Sequence, residues 1–447
     1  MTDSRWRTNL TTAAFVATAV ALAWLAGTID SYRTAPKPLS EEGQPFFPDF
    51  TDPLSCTALE IVGYDEATAT AQPLKVEQRG KAWLLRSHHD YPAKAEELVM
   101  KTAAALVDLK RGALRSMSPN DHATYGVIDP LDQKNASLTG RGKRVTLRNA
   151  QGVVLADYIL GHPVEGKKGE RYVRVPGEMG VYAVKTDADP SSHFRDWVAS
   201  GILGLSSKDV VDVRLLDYSI DETTGTVSEM HPAEARRGAD GKWSAVGEGV
   251  RLRQATLDRM LHGLASLGIV DVQSKPPTLA ENLRLGGAIE LSLDSITSLR
   301  RRGYFFTPNG RMLANEGELR VRTSEGLVYT LRFGEIAQGA NLAVDEAATT
   351  TPTSAPGTVS TGSPTPPPAP AAPRMAPENA PRYLFVTVRF DNAEAPAASA
   401  GSEPAGDDTS PAESHAQALA RRFAPWYYVI SGEDFERLRP RYNDLVR

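Results

Sequence analysis

The chain has 447 residues, 41% of them hydrophobic and 23% charged, an ordinary balance for a folded protein with room for two or three domains. Its formal net charge of -5 is small for this length and gives no reason to expect nucleic acid as a partner, because phosphate binding needs a concentrated basic face. Cys56 is the sole cysteine, so no intramolecular disulfide can form, and the thiol reads as a small buried hydrophobe.

The first element is an uncharged run from Leu10 to Gly27, LTTAAFVATAVALAWLAG, long enough to cross a bilayer as a helix. Arg5 and Arg7 precede it and Asp30 follows, so the positive-inside rule leaves residues 1–9 in the cytoplasm. Residues 10–27 are expected to be an uncleaved anchor, and everything after Thr28 is expected to lie outside the cytoplasm. A cleaved signal peptide ending near Ala21-Leu22-Ala23 is the competing reading. Against it, Trp24-Leu25 carry the apolar run past that site.

Beyond the anchor the chain reads as a duplication. Tyr64 and Trp83 in the first half correspond to Tyr218 and Trp243 in the second, and the two tryptophans stand 160 residues apart. Each tryptophan is followed by a helix with one apolar face. Pro92–Lys110 carries Ala95, Leu98, Met100, Ala103, Leu106 and Leu109, while Gln254–Leu267 carries Leu257, Met260, Leu261, Leu264 and Leu267. A hairpin comes next in each half, Val145–Leu155 and Leu319–Tyr329, each turning through a glycine. The hairpins run into Leu160-Gly161 and Phe333-Gly334. A further strand pair follows: Arg171–Val175 with Val181–Val184, and Tyr383–Phe390 with Tyr427–Ile430. Short helical pieces, Phe194–Val198 and Tyr442–Val446, close the two halves. The expected fold class is therefore α+β, with an N-terminal transmembrane helix and two tandem repeats over 46–208 and 209–447. Each repeat is a mostly antiparallel sheet with its main helix packed on one face.

Two tracts interrupt the second repeat. Residues 343–381 include TTTPTSAPGTVSTGSPTPPPAPAAP, and 393–415 are similarly rich in Ala, Ser and Pro. Such segments bury too little apolar surface to offset their ordering entropy, so both are expected to be disordered loops.

The order Tyr125-Gly126-Val127-Ile128-Asp129-Pro130, Leu160-Gly161, Glu170-Arg171-Tyr172-Val173-Arg174, Val181-Tyr182-Ala183-Val184 and Phe194-Arg195-Asp196 resembles the family known as domain of unknown function 4340 (DUF4340). The resemblance covers mainly residues 80–200. It implies a bacterial envelope protein with an N-terminal membrane helix, linked to ABC-type transporter components and without an assigned activity. The second half departs from the pattern: Arg302-Gly303-Tyr304-Phe305-Phe306-Thr307-Pro308 stands where a Tyr-Gly step would be.

Candidate chemistry is sparse. His88-His89-Asp90 is the densest group of metal-ligand types, but neighbours on a strand point to opposite faces and share an ion poorly. Gly166-Lys167-Lys168-Gly169-Glu170 lacks the Ser or Thr of a phosphate loop and reads as a hairpin tip. Asp187-Ala188-Asp189 lacks the sixth-position Gly and terminal Glu of a calcium loop and reads as the cap region of the Phe194 helix. Glu96-Glu97 fall on the outer face of the first main helix, and Trp83 and Trp243 read as core anchors. No catalytic, cofactor or metal residue is assigned, and no cofactor is expected. The chain is expected to be a non-enzymatic accessory or scaffold protein of the cytoplasmic membrane, associated with an envelope protein such as an ABC transporter permease. The alternative is a binding module for an envelope polymer or small ligand in the groove between the repeats, which exposed aromatics there would favour.

Overall fold

The computed structural model describes residues 41–221, 226–285, 292–307, 310–337, 380–391 and 410–447. The apolar run at 10–27 and most of the Pro-rich tracts lie outside these residues. Among the described residues no helix is long and apolar enough to cross a membrane.

Two large antiparallel sheets organise the protein, so the α+β expectation holds. The first is built from β1 (Ala58–Asp65), β2 (Thr70–Arg79), β3 (Ala82–Leu85), β4 (Tyr91–Ala93), β5 (Ala113–Ser116), β6 (Lys143–Arg148), β7 (Val154–Pro163), β8 (Glu170–Arg174) and β9 (Val181–Lys185), in the order β4-β3-β2-β1-β6-β7-β8-β9-β5. The hairpin between β6 and β7 follows from local chemistry. The Asn149 carboxamide oxygen accepts from the N–H groups of Gln151 and Val153, and Gly152 takes the left-handed conformation the turn needs. Period-two alternation then places one row of side chains on a common face. Val76 pairs with Leu59, Leu59 with Leu147, and Leu147 with Ala156, all buried.

The second sheet uses β10 (Val210–Asp217), β13 (His231–Arg237), β14 (Trp243–Ala245), β15 (Asp271–Ser274), β18 (Glu318–Thr323), β19 (Leu327–Ile336), β20 (Arg382–Phe390) and β21 (Trp426–Ile430). Its order is β14-β13-β10-β18-β19-β20-β21-β15. The minor strands β11 (Ile220–Asp221) and β12 (Thr226–Val227) pair together, as do β16 (Tyr304–Phe306) and β17 (Met312–Ala314). The buried row here is Ala235, Val213, Val321, Tyr329 and Val388. In each sheet the chain enters near the centre, runs out to one edge, crosses to the opposite edge (β5, β15), and then returns to the centre and works back toward that strand.

Helices fill the space beside the sheets. α1 (Glu96–Ala104) buries Val99 and Ala103 and leaves Glu96 and Glu97 exposed, as the spacing predicts. It is shorter than the expected 92–110 helix, because Pro92 and Ala93 pair with β3 and Asp108 adopts a left-handed φ of 58°. α2 (His122–Tyr125) is one turn long. α3 (Gln254–Ser266) matches its expected span and buries Leu257, Met260, Leu261 and Leu264. Four helices of the second half went unforeseen: α4 (Pro277–Leu285), α5 (Leu293–Arg301), α6 (Pro411–Phe423) and α7 (Gly432–Leu438). α4 and α5 cover the far face of the second sheet over a core of Leu279, Leu299, Tyr304, Phe385 and Tyr427, so this sheet is packed on both faces. α6 corrects the expected loop at 393–415, since Ser410 caps its first turn through the Glu413 N–H and Pro411 starts it. Ala380 is likewise buried, and the Ala337 N–H donates to the Pro381 carbonyl, trimming the other expected loop. α8 (Tyr442–Leu445) and a 3-10 turn at Phe194–Trp197 close the two halves where expected.

One continuous core joins both sheets through α1, α3, α7 and the buried linker residues Ile202, Leu203 and Leu205. Tyr91 of β4 packs edge-on against Trp426 and Tyr428 of β21, with ring centroids 5.2 Å and 6.4 Å apart. Trp83 is buried, whereas Trp243 sits half-buried on the edge strand β14 at the rim of the core, because no further strand covers it.

Candidate functional site

Two of the steps that carried the family resemblance, Tyr125-Gly126-Val127 and Leu160-Gly161, meet at one corner of the first sheet. Gly126 ends α2 in a left-handed conformation (φ 67°), and its N–H donates to the Ala123 carbonyl. A Cβ on Gly161 would lie 2.6 Å from Val127 Cγ1 and 3.0 Å from the Gly126 carbonyl oxygen. A Cβ on Gly142 would lie 2.7 Å from that same oxygen. Three backbone segments therefore pass in direct contact, and only glycine fits at the crossing.

Outside this crossing opens a cleft of about 470 Å³, walled by Gly63, Tyr64, Gly142, Lys143, Gly161, His162, Arg171, Ser192 and His193. Its cations are held firmly. The Arg141 guanidinium donates to the carbonyls of Asp129, Pro130, Asp132, Asn135 and Ser137 and lies 4.9 Å from the Tyr64 ring centroid. Arg171 donates through Nε and Nη2 to the Gly161 carbonyl (3.0 and 2.6 Å). Lys143 Nζ donates to Asp189 Oδ1 (2.5 Å) and to the Pro190 carbonyl, and Arg171 Nη1 pairs with the same carboxylate. Asp189 is thus the shared counter-ion of two cations. It is not the helix cap expected of 187–189, because the residue before the Phe194 turn is His193 and Ala188 is buried.

Strand register identifies the same corner in the second sheet. Ile61 faces Val145 and Leu215 faces Leu319, which places Gly63, Tyr64 and Gly142 on Asp217, Tyr218 and Glu316. Val145 faces Tyr158 and Leu319 faces Leu331, which places Gly161 on Gly334. The glycine crossing recurs there. Gly303 is left-handed (φ 79°), and a Cβ on Gly334 would strike the Arg302 carbonyl and lie 2.8 Å from Tyr304 Cζ. The Arg302-Gly303 step does at this corner what Tyr125-Gly126 does at the first. The cleft itself is closed. Arg439, 3% exposed, donates to the carbonyls of Glu316 (2.6 Å) and Tyr218 (3.0 Å), and its Nη2 lies 3.0 Å from Asp217 Oδ1.

The other candidates resolve as structure. His88 ends a 3-10 turn and is followed by left-handed His89 and Asp90, so this is not the strand end expected. His88 Nε2 lies 3.7 Å from Asp271 Oδ1 across the junction of the halves. Burial drives the two groups toward their neutral forms, with the imidazole pushed down to about 4 and the carboxyl up to about 7. Gly166 and Gly169 form the exposed hairpin tip between β7 and β8. Lys275 is a deeply buried cation: its Nζ donates to the Phe423 and Trp426 carbonyls 4.1 Å from the Phe385 ring centroid. Burial pushes its pKa well below the ordinary lysine value. Only 5% exposed, it has no path to a substrate and serves to close the Phe423–Trp426 turn. Among the described residues no group of three or more His, Cys, Asp or Glu side chains is placed to hold a metal ion. The groove between the halves, about 360 Å³, is lined by Arg195, Asp196, Ser266, Ser431, Glu433, Asp434 and Arg437 among others, without an aromatic ring, and Arg437 is bound to Glu433 and Asp434.

The cleft is not legible in the sequence because its cations come from two strands, β6 and β8, and the loop before β6, and its glycines read as ordinary turn signals. The one available signal was the paired Leu160-Gly161 and Phe333-Gly334 steps. Comparison with curated proteins and with solved structures finds no match for this chain. Residues 83–285 do match a family model, and that span reaches past the first sheet into β10, β13, α3 and α4 of the second, farther than the 80–200 stretch that carries the resemblance. Over those residues the chain is similar to the family described as Domain of unknown function (DUF4340).

Proposed function

We propose that this chain is a non-catalytic accessory protein of the cell envelope, in which two copies of one α+β unit form a rigid block held at the membrane by residues 10–27 and presented to a protein partner. The observation that supports the reading is the similar strand order of the two sheets, which meet in one shared core. Both follow the same strand itinerary, both have a glycine crossing at the same register, and matching hydrogen bonds tie their closing helices. The Lys94 N–H donates to the Trp197 carbonyl in the first half, and the Arg253 N–H donates to the Leu445 carbonyl in the second. Arg141, Arg171 and Arg439 are tied to backbone carbonyls, as befits a scaffold. An ABC-type transporter component is the partner to test first, on the strength of the family resemblance.

The test is a mild-detergent purification of the C-terminally tagged chain from native membranes, followed by mass spectrometry. Reproducible recovery of a permease or its envelope partners supports the reading. Recovery of the chain alone, under conditions that keep known complexes intact, refutes it. The polymer-binding alternative loses ground, because the groove between the halves offers no aromatic platform for a sugar ring.

A further inference from the structure

We infer that the open cleft of the first sheet is a binding site for an anionic group, carboxylate or phosphate, and that its counterpart in the second sheet is the same site sealed by Arg439. The inference rests on the matching of the two units proposed above.

At matched positions the two corners differ in charge: most changes remove a carboxylate from the open corner or add a cation to it, while Asp65 and Glu66, which fall on Ser219 and Ile220, go the other way. The sealed corner presents Asp217, Glu316 and Glu335, and its occupant is a guanidinium. The open corner carries Gly63, Gly142 and His162 at those positions, so three carboxylates are absent. Lys143 and Arg141 replace Gly317 and Asn315, while Arg171 and Arg382 keep a cation at the same register in both. The closing segment changes as well. The backbone match of Trp197 with Leu445 places Ser191 where Arg439 stands, and a serine cannot reach across the corner.

Charge is arranged unevenly in the cleft. Lys143 and Arg171 share the single carboxylate of Asp189, so this wall carries two cations to one carboxylate, while Asp65 and Glu66 lie with Arg141 at the other side. The cleft's own acids are engaged elsewhere: Asp65 accepts from the Ala67 and Thr68 N–H groups, and Glu66 from the Gly140 N–H. His162 and His193 stand exposed at the mouth, able to donate to an arriving oxyanion. The glycine walls carry no Cβ, so a small oxyanion can approach the backbone closely. A volume of about 470 Å³ accommodates a small organic acid or a phosphate ester.

The experiment is calorimetric titration of the full chain with inorganic phosphate and, separately, with succinate. Saturable binding of either supports the site, and the tighter of the two identifies the ligand class. His162→Glu, an exposed substitution that the fold tolerates, is expected to weaken binding at least tenfold, and Lys143→Gln to do the same. No saturable binding of either anion overturns the inference, as does undiminished binding by His162→Glu. Ser191→Arg addresses the matching of the units separately. Loss of binding in that chain supports the correspondence with Arg439, whereas unchanged binding there, with loss in His162→Glu, leaves the cleft standing and refutes the matching.

Discussion

The glycine crossings make the sharpest stability prediction. Gly161→Ala adds one methyl group where the neighbours are backbone and a buried valine: Val127 Cγ1 at 2.6 Å and the Gly126 carbonyl oxygen at 3.0 Å. Gly161 does not need a left-handed φ, so the cost is steric and none of it comes from backbone strain. Overpacking of a close-packed site typically costs about 1–3 kcal/mol, and the upper part of that range applies because a carbonyl cannot swing aside as a flexible side chain can. At about 2–4 °C per kcal/mol for a domain of this size, the melting temperature should fall by about 4–10 °C. Gly334→Ala should behave alike, and since the two glycines share no neighbour the double variant should show the sum to within about 0.5 kcal/mol. Gly268→Ala is the control, because a Cβ there meets nothing within 4 Å. The assay is thermal and chemical denaturation followed by circular dichroism. A Gly161→Ala chain as stable as the Gly268→Ala control would show that the crossing is not tight, and the correspondence of the two corners would lose its main support.

Three further outcomes are expected. Arg439→Met should destabilise the chain by about 2–3 kcal/mol in denaturant titration, since the Glu316 and Tyr218 carbonyls lose their buried donor and Asp217 and Glu316 keep only Arg441 and Arg382 as counter-charges; a loss under 1 kcal/mol would contradict the sealing role. The junction pair should give opposed pH slopes. In a His88→Gln chain the remaining Asp271 carboxyl, raised to about 7, contributes fully below its unfolded value near 4, and stability should fall by about 4 kcal/mol as pH rises from 4 to 7. In an Asp271→Asn chain the lowered His88 reverses the sign, and stability should rise by about 3 kcal/mol between pH 4 and 6.5. The natural chain should be flatter than either, and identical slopes in all three would exclude any part for the pair. Cys56 is 1% exposed and burial pushes its thiol up to about 11, so the native chain should resist an aromatic disulfide reagent at neutral pH and react fully once unfolded; prompt native reaction would contradict its burial.

Several elements were legible in residue order alone, for one physical reason: their signals are local. Alternation around Gly152 and Gly326 determines the hairpins β6–β7 and β18–β19, and the apolar stripe from Leu257 to Leu264 determines α3. The composition of 343–381 sets it apart from the packed elements around it, and the run at 10–27 stands out by the absence of charge. Elements that depend on distant partners were not legible in this way. α4 and α5 have weak stripes that acquire meaning only over Phe385 and Tyr427, which arrive from strands a hundred residues later. Ser410-Pro411 is a good helix start, yet it lies in an Ala-rich tract that reads as loop until α6 finds β20 to pack on.

The same division governs the site. Residue order makes Leu160-Gly161 and Phe333-Gly334 look alike, because that likeness is a matter of sequence. Whether the corner beside each is open or filled is decided by distant side chains: Arg439 fills one from the closing segment of its half, and among the described residues none does so at the other. The charge borne by the open corner depends on Lys143 and Arg171 meeting over Asp189. Side chains separated by tens to hundreds of residues are brought within hydrogen-bond reach by sheet register, and register is set by burial of the whole face, which no single segment encodes.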